Sequence, residues 1–281
     1  MNSYYVILTC RNSEDTIGKT LDSIFNQVIK PVYIIVINDG STDSTLNILE
    51  NYKNIHQNLY IISNPDAGYD VTRIVKNWNK AIKFAKDNKL EITEYHMISA
   101  DDTAYSETYA KRIMNLLNSD PKLMAASGDD RNSSNMFPRG TGRFIRNKLF
   151  AKTVWKGYYP ERMGYESAIL YEGERLGFSY LISRNVKFDH LRPIGSIHKF
   201  YEWGASMKTL GYHPVYVIGR FLKNLLTGKE TGRIGAVRML YSYLKYNPTK
   251  SGYNSLYEKE LQEYVRNKQL NIVNSFKFLN I

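Results

Sequence analysis

Apolar positions along this chain alternate between two patterns, short continuous runs and longer stretches spaced by three and four. Tyr4-Tyr5-Val6-Ile7-Leu8-Thr9 is a continuous run ending in polar residues, as expected of a strand buried on both faces. Ser13 then offers a helix N-cap with Glu14 and Asp15 in the first turn. Ile17, Leu21, Ile24 and Phe25 follow at helical spacing, which predicts an amphipathic helix near 14–27. Pro31 ends that pattern, and the β-branched run from Val32 to Ile37 predicts a second buried strand.

The alternation continues. Asn38-Asp39-Gly40-Ser41-Thr42-Asp43 is a turn that opens a helix carrying Leu46 and Leu49. A strand from Leu59 to Ser63 precedes a loop at Gly68 and a helix over about 70–87, with Ile74, Trp78, Ala81, Ile82 and Ala85 on one face. A fourth strand, Tyr95 to Ser99, stops at Ala100-Asp101-Asp102, and a helix containing Tyr105 and Tyr109 follows. Strands alternating with helices predict an α/β fold with a doubly wound, mostly parallel sheet, in which ligands sit beyond the carboxyl ends of the strands. Both acidic turns fall at such ends.

Further on, Leu123 to Ser127, Phe144 to Arg146 and Phe178 to Ile182 read as strands. A polar loop spans Gly128 to Gly142, and a helix runs near 164–176. After Pro193 come amphipathic helical segments interrupted at Gly228, Gly232 and Pro248. The expected division is a domain over 1–200, with halves at about 1–105 and 106–200, and a basic helical extension over 201–281.

Composition changes this picture little, but charge changes it more. With 281 residues, 43% hydrophobic and 23% charged, the chain has ordinary globular composition. Its one cysteine, Cys10, excludes an intramolecular disulfide and a cysteine metal cluster, which fits a reducing compartment. No run approaches the roughly 18 apolar residues of a membrane span, and the N-terminus does not read as a signal peptide. The expected location is cytoplasmic, with peripheral attachment to the inner face of a membrane as a variant. The net charge is +11, yet residues 187–281 hold 15 basic and 6 acidic residues, so most of the excess lies in the last third. Anionic lipid, phosphate-bearing substrates or nucleic acid are its candidate partners, against an ordinary solvated surface.

Four constellations could carry chemistry. Asp39 at a strand end can accept hydrogen bonds from a nucleobase and a ribose, with Gly40 permitting close backbone approach; taken alone, a plain turn capped by Ser41 or Thr42 explains the pattern. Asp101 and Asp102 are adjacent carboxylates at the mouth of a sheet, costly unless a cation offsets their repulsion. Their hard oxygens suit Mg²⁺ or Mn²⁺ shared with substrate phosphates, whereas Asp102 could equally serve as a helix cap. Glu166, in Gly164-Tyr165-Glu166-Ser167, could take a proton from an acceptor hydroxyl or simply favour a helix N-terminus. His190, in His190-Leu191-Arg192-Pro193, could bind a metal and Arg192 a phosphate, though a lone histidine is more often structural.

The order of these motifs resembles glycosyltransferase family 2, the inverting enzymes of the GT-A fold, over roughly residues 4–195. The resemblance implies a sugar transferred from a nucleotide-diphosphate donor, UDP-linked more than GDP-linked, to a hydroxyl of a glycan or lipid-linked glycan. It implies Mn²⁺ or Mg²⁺ as cofactor. Thr9 and Asn12 match positions that touch the base, with Glu14 beside them, and Asp39 matches the uridine-binding aspartate. Asp101 matches the metal-binding aspartate and His190 the metal-binding histidine. Arg146 stands where a basic donor-site residue is common. Glu166 matches the glutamate of the acceptor-side pair and becomes the expected base, because Ser167 replaces the usual aspartate. Ser99 likewise replaces the first aspartate of the metal motif.

Two alternatives stand beside this one. Ser99 and Ser167 would suit a non-catalytic nucleotide-sugar binder, and the charge would suit a nucleic-acid-binding protein, although no zinc spacing or RNA-binding strand motif supports the latter. Residues near 200–245, including Tyr201, Trp203, Val215, Ile218, Arg220, Leu222, Leu226, Arg233 and Arg238, mix apolar and basic positions. They fit either helices lying on a membrane surface or a hairpin packed on protein.

Overall fold

The computed structural model describes residues 3–68, 70–131, 140–192, 198–228 and 231–278. The strand–helix alternation is present: β1 (Tyr4–Cys10), α1 (Ile17–Phe25), β2 (Ile34–Asp39), α2 (Thr45–Ile55), β3 (Leu59–Asn64), α3 (Arg73–Asp87) and β4 (Tyr95–Ala100). Then come β5 (Thr103–Tyr105), α4 (Tyr109–Ser119), β6 (Leu123–Asp130), β7 (Arg143–Arg146) and the single-turn α5 (Asn147–Phe150). After these lie α6 (Tyr165–Arg175), β8 (Ser179–His190), α7 (His198–Thr209), α8 (Pro214–Thr227), α9 (Gly232–Lys245) and α10 (Lys259–Phe278).

The strands form one sheet in the order β3-β2-β1-β4-β7-β6-β8-β5. β3, β2, β1 and β4 run parallel, β7 is antiparallel to β4 and β6, and β8 is parallel to β6. Val6, Ile7, Leu8, Ile34, Ile35, Val36 and Ile37 are fully buried, so helices cover both faces of the central strands. Each such side chain contributes roughly 1.5–3 kcal/mol by leaving water, which is why these strands read as unbroken apolar runs.

Four boundaries differ from expectation. α1 begins at Ile17, because residues 12–14 are tied across to α2. The Ser13 amide donates to Thr45 Oγ1 at 2.8 Å, and Glu14 Oε2 accepts the Ser44 amide at 2.9 Å. Tyr105 lies in a strand and not in the helix with Tyr109, since β5 pairs with the end of β8. That end of β8 runs eight residues beyond the predicted Ile182, to His190. The predicted loop 128–142 is partly strand, and its residues 132–139 lie outside the described residues.

The chain divides into two compact units, Met1–Tyr159 with Leu176–Ile194, and Pro160–Arg175 with Gly195–Ile281. The division is not one cut along the sequence, since α6 belongs to the second unit and β8 to the first. In the second unit α7 packs closely on α9. A Cβ on Gly204 would lie 2.1 Å from the Met239 carbonyl oxygen, so only glycine admits this approach.

Candidate functional site

The register of three strands builds the site. Thr9 on β1 pairs with Ile37 on β2 and with Ala100 on β4. Asp39 therefore lies two residues past one partner and Asp101 one residue past the other, flanking the end of β1. Two strand spacings of about 4.8 Å separate the strands that carry them.

The Asp39 turn is held from three sides. Arg73 Nε donates to Asp39 Oδ1 and Oδ2 at 3.2 and 3.0 Å, and Asn64 Nδ2 donates to Oδ1 at 2.9 Å. Arg11 donates from one guanidinium nitrogen to the carbonyls of Asp39 and Gly40 at 2.6 and 2.8 Å, and from another to Asp66 Oδ1 at 2.7 Å. Burial raises the Asp39 carboxyl, but hydrogen bonds from Asn64, Asn77 and Arg73 outweigh it and leave the group below its usual range. Gly40 has φ +69°, and a Cβ there would meet Asp66 Cα at 2.6 Å. The turn thus requires glycine for both its conformation and its closeness to the β3 end.

Asp101 is different. Burial raises its carboxyl above the usual range and the Asp102 charge adds to this, while the Arg11 amide and the Arg192 guanidinium offset only part. The Arg11 amide donates to Asp101 Oδ2 at 3.2 Å. Arg192 donates to Thr16 Oγ1 at 2.9 Å and to the Asn12 carbonyl at 3.3 Å, on the same side. Pairing of β5 with β8 sets His190 opposite Thr103. His190 Nδ1 lies 3.6 Å from Asp102 Oδ1, and Nε2 lies 3.9 Å from Asp130 Oδ2.

Other expected site residues divide. Thr9 Oγ1 is buried with no hydrogen-bond partner among the described residues. Asn12 has φ +47°, and its Oδ1 accepts the Thr42 amide at 2.9 Å, fixing the loop between β1 and α1. Glu14 ties that loop to the start of α2. Arg146 lies elsewhere: it pairs with Tyr95, at the opposite end of β4 from Asp101. There it bonds Glu94 Oε1 at 3.1 Å and the Leu123 carbonyl at 3.2 Å, and it stacks on the Tyr95 ring. An antiparallel β7 thus carries Arg146 away from the strand ends where Asp39 and Asp101 lie. Ser99 turns inward, its hydroxyl 3.0 Å from that of Tyr105 in a buried network with Thr141. An aspartate there would be a buried charge among hydroxyls. Glu166 occupies the first turn of α6 in the second unit, with Ser167 beside it.

Among the described residues no group of three or more His, Cys, Asp or Glu side chains could hold an ion. Yet Asp101 carries an under-compensated charge, and His190 Nε2 has no hydrogen-bond partner among the described residues. Such a donor set fits a cation held by one or two protein ligands that completes its shell with phosphate and water.

Sequence reasoning passed over Arg11, Asn64, Arg73 and the buried pair Asp129 and Asp130. Asp129 faces Lys187 at 3.2 Å. One signal was available for Arg73: a cation as the first residue of a helix opposes the helix dipole, which suggests service to something beyond the helix.

Comparisons with known proteins bear on the family and the fold. An uncharacterized glycosyltransferase of Mycoplasma pneumoniae is 27% identical over 112 residues, which is 39% of this chain and 34% of that protein. The chain thus matches only about a third of that relative's length. Among solved structures, the mannosyltransferase PcManGT of Pyrobaculum calidifontis, in complex with GDP-Man and Mn²⁺, superposes with a TM-score of 0.57 at 16% identity. It covers 86% of this chain and 72% of its own. S. aureus TarS 1-349 in complex with UDP-GlcNAc gives 0.54 at 17% identity, covering 86% and 71%. At such identities these two establish the fold, a GT-A arrangement of mixed α/β type. The model of the family described as Glycosyl transferase family 2 matches residues 5–173, the stretch that carries β1 to α6 and both acidic turns, and the chain belongs to that family.

Proposed function

We propose that the chain transfers a sugar from a nucleoside-diphosphate donor to an acceptor hydroxyl with inversion at the anomeric carbon. In this reading the nucleoside lies at Asp39 and the diphosphate at Asp101. The observation that carries it is the register of β2, β1 and β4, which sets a firmly ionised Asp39 and an under-compensated Asp101 on either side of one strand end.

Asp39 accepts hydrogen bonds from the base or ribose, held in place by Arg73 and Asn64. Thr9 and Asn12 line the same strand end. Asp101 and His190 would hold Mn²⁺ or Mg²⁺, and the ion would supply positive charge to offset that on the departing diphosphate. Arg192, whose charge acts on the Asp101 carboxyl, is the proposed contact for a phosphate oxygen. Glu166 is the proposed base: the acceptor O–H bond breaks toward it, the new oxygen–carbon bond forms, and the bond to the diphosphate breaks in the same displacement. Neighbouring folds bind GDP-Man with Mn²⁺ and UDP-GlcNAc, which supports a nucleotide-sugar donor. We favour UDP over GDP, and a glycan or lipid-linked glycan as acceptor.

A thermal-shift series with UDP- and GDP-sugars, with and without Mn²⁺, tests the donor site. Saturation at a hundredfold excess over Kd stabilises by roughly 2.7 kcal/mol. The shift should need Mn²⁺ and vanish in Asp101→Asn. That variant should melt no lower than the parent without ligand, since it removes a poorly compensated charge. An unchanged ligand shift in the variant would remove Asp101 from the site. A second reading, binding without transfer, is motivated by Ser99 and Ser167. Release of free sugar or transfer product in the presence of Mn²⁺ rejects it.

A further inference from the structure

The second unit presents a surface that the transfer reaction does not use. On α8, Val215, Ile218, Leu222 and Leu226 recur at spacings of three and four, and on α9 Ile234, Val237, Tyr241 and Leu244 do the same. All eight are between 48% and 77% exposed. At 100° per residue these stripes lie opposite the buried positions of their helices, Val217 and Asn224 on α8, Met239 and Tyr243 on α9. They are solvent faces and not edges of the core. Eight large apolar side chains on two consecutive helices far exceed the single exposed apolar residues of an ordinary surface.

Charge identifies the occupant. α8 and α9 together contain five basic residues, Arg220, Lys223, Arg233, Arg238 and Lys245, and no acidic one. A second copy of the chain would bring like charges together. An acidic protein would need an apolar face of its own to match two long aliphatic stripes. A bilayer with anionic headgroups meets both requirements, since aliphatic groups enter the acyl boundary while Lys and Arg stems reach back to phosphate. Each helix has 14 residues, about 21 Å, against a hydrocarbon core of about 30 Å. Among the described residues no helix is long and apolar enough to cross a membrane. Lying on the surface is the geometry that remains for this pair.

We propose that α8 and α9 dock the protein on an anionic lipid bilayer, with the apolar stripes buried at the headgroup boundary and the exposed basic residues Lys223, Arg233 and Lys245 reaching lipid phosphates.

The test is co-sedimentation of the full chain with vesicles of phosphatidylcholine alone or with added phosphatidylglycerol, at low and high salt. Binding should require phosphatidylglycerol and weaken with salt. It should fall at least tenfold in Leu222→Glu with Leu226→Glu, and again in Val237→Glu with Leu244→Glu. These sites are exposed, so melting temperature and nucleotide-sugar stabilisation should stay at parental values. Lys223→Glu with Lys245→Glu leaves the apolar stripes intact and should weaken binding comparably. Absence of binding to anionic vesicles, equal binding to neutral ones, or parental binding by the glutamate variants overturns the proposal. A concentration-dependent dimer lost in the same variants, without vesicle binding, would assign the face to a second copy and overturn it too.

Discussion

Arg73, the first residue of α3, places its Nε against both carboxylate oxygens of Asp39, at 3.2 and 3.0 Å. Asp39 ends β2, so this contact joins the beginning of a helix to the end of a strand 34 residues earlier. It fixes the orientation of the carboxylate, and in the proposed function this preorganisation would lower the cost of binding the nucleoside.

Arg73→Ala should therefore act on both stability and binding. Removing a charged partner from a largely buried carboxylate costs about 1–3 kcal/mol, readable by urea denaturation. The lowered Asp39 carboxyl contributes stability that is present above the usual carboxylate value and lost as pH falls through its folded value. The variant should show a shallower loss on that acid limb. Nucleotide affinity should drop as well, measured by calorimetry. Parental affinity would mean that Asp39 needs no such orientation.

Gly40→Ala should be worse than an ordinary loop change. It combines a φ of +69° with a Cβ 2.6 Å from Asp66 Cα. The expected loss is about 1–3 kcal/mol from strain alone. Because the residue follows Asp39, nucleotide-sugar stabilisation should fall with it in a thermal-shift assay.

His96 supplies a pH signature away from the site. Its Nδ1 lies 2.6 Å from Asn147 Oδ1 and its Nε2 lies 2.7 Å from the Tyr159 hydroxyl. Asn147 Nδ2 donates to the Thr93 carbonyl, so Oδ1 faces the ring, Nδ1 carries the proton and Tyr159 donates to Nε2. Burial pushes this histidine down to about 4, the Asn147 bond resists, and Arg143 adds to the lowering. A histidine kept neutral in the folded state contributes fully above its unfolded value near 6.5. That contribution is lost as pH falls from there toward 4, about 3 kcal/mol in all. Denaturation at pH 7.5 and 5 should show this decline, and His96→Gln should flatten it. An equal slope in the variant would assign the decline to other groups.

Glu166→Gln should preserve Mn²⁺-dependent stabilisation by nucleotide-sugars while lowering the transfer rate by 10²–10⁴, the usual range for a lost general base. Rapid-quench product assays with the parent as reference measure this. Unchanged transfer would move the base to another residue.

The runs Tyr4–Thr9 and Val32–Ile37 and the acidic turns at Asp39 and Asp101 were readable because their signals are local. Burial on both faces demands continuous apolar residues, and a turn at a strand end demands glycine and short polar side chains. Which strands are neighbours, and in what register, is decided by packing between distant segments. Hence β5 recruited Tyr105 from an expected helix, and β7 ran antiparallel and carried Arg146 to the far end of β4. The same pairing set His190 between Asp102 and Asp130. The partnership of Arg73 with Asp39 was equally hidden, since a guanidinium has no periodicity and finds its carboxylate only once helix and strand have come together. The amino-acid sequence by itself determined the alternating elements, the family and the residues at the strand ends. Tertiary structure alone decided which charges face each other, because that depends on contacts across the sheet that no local pattern encodes.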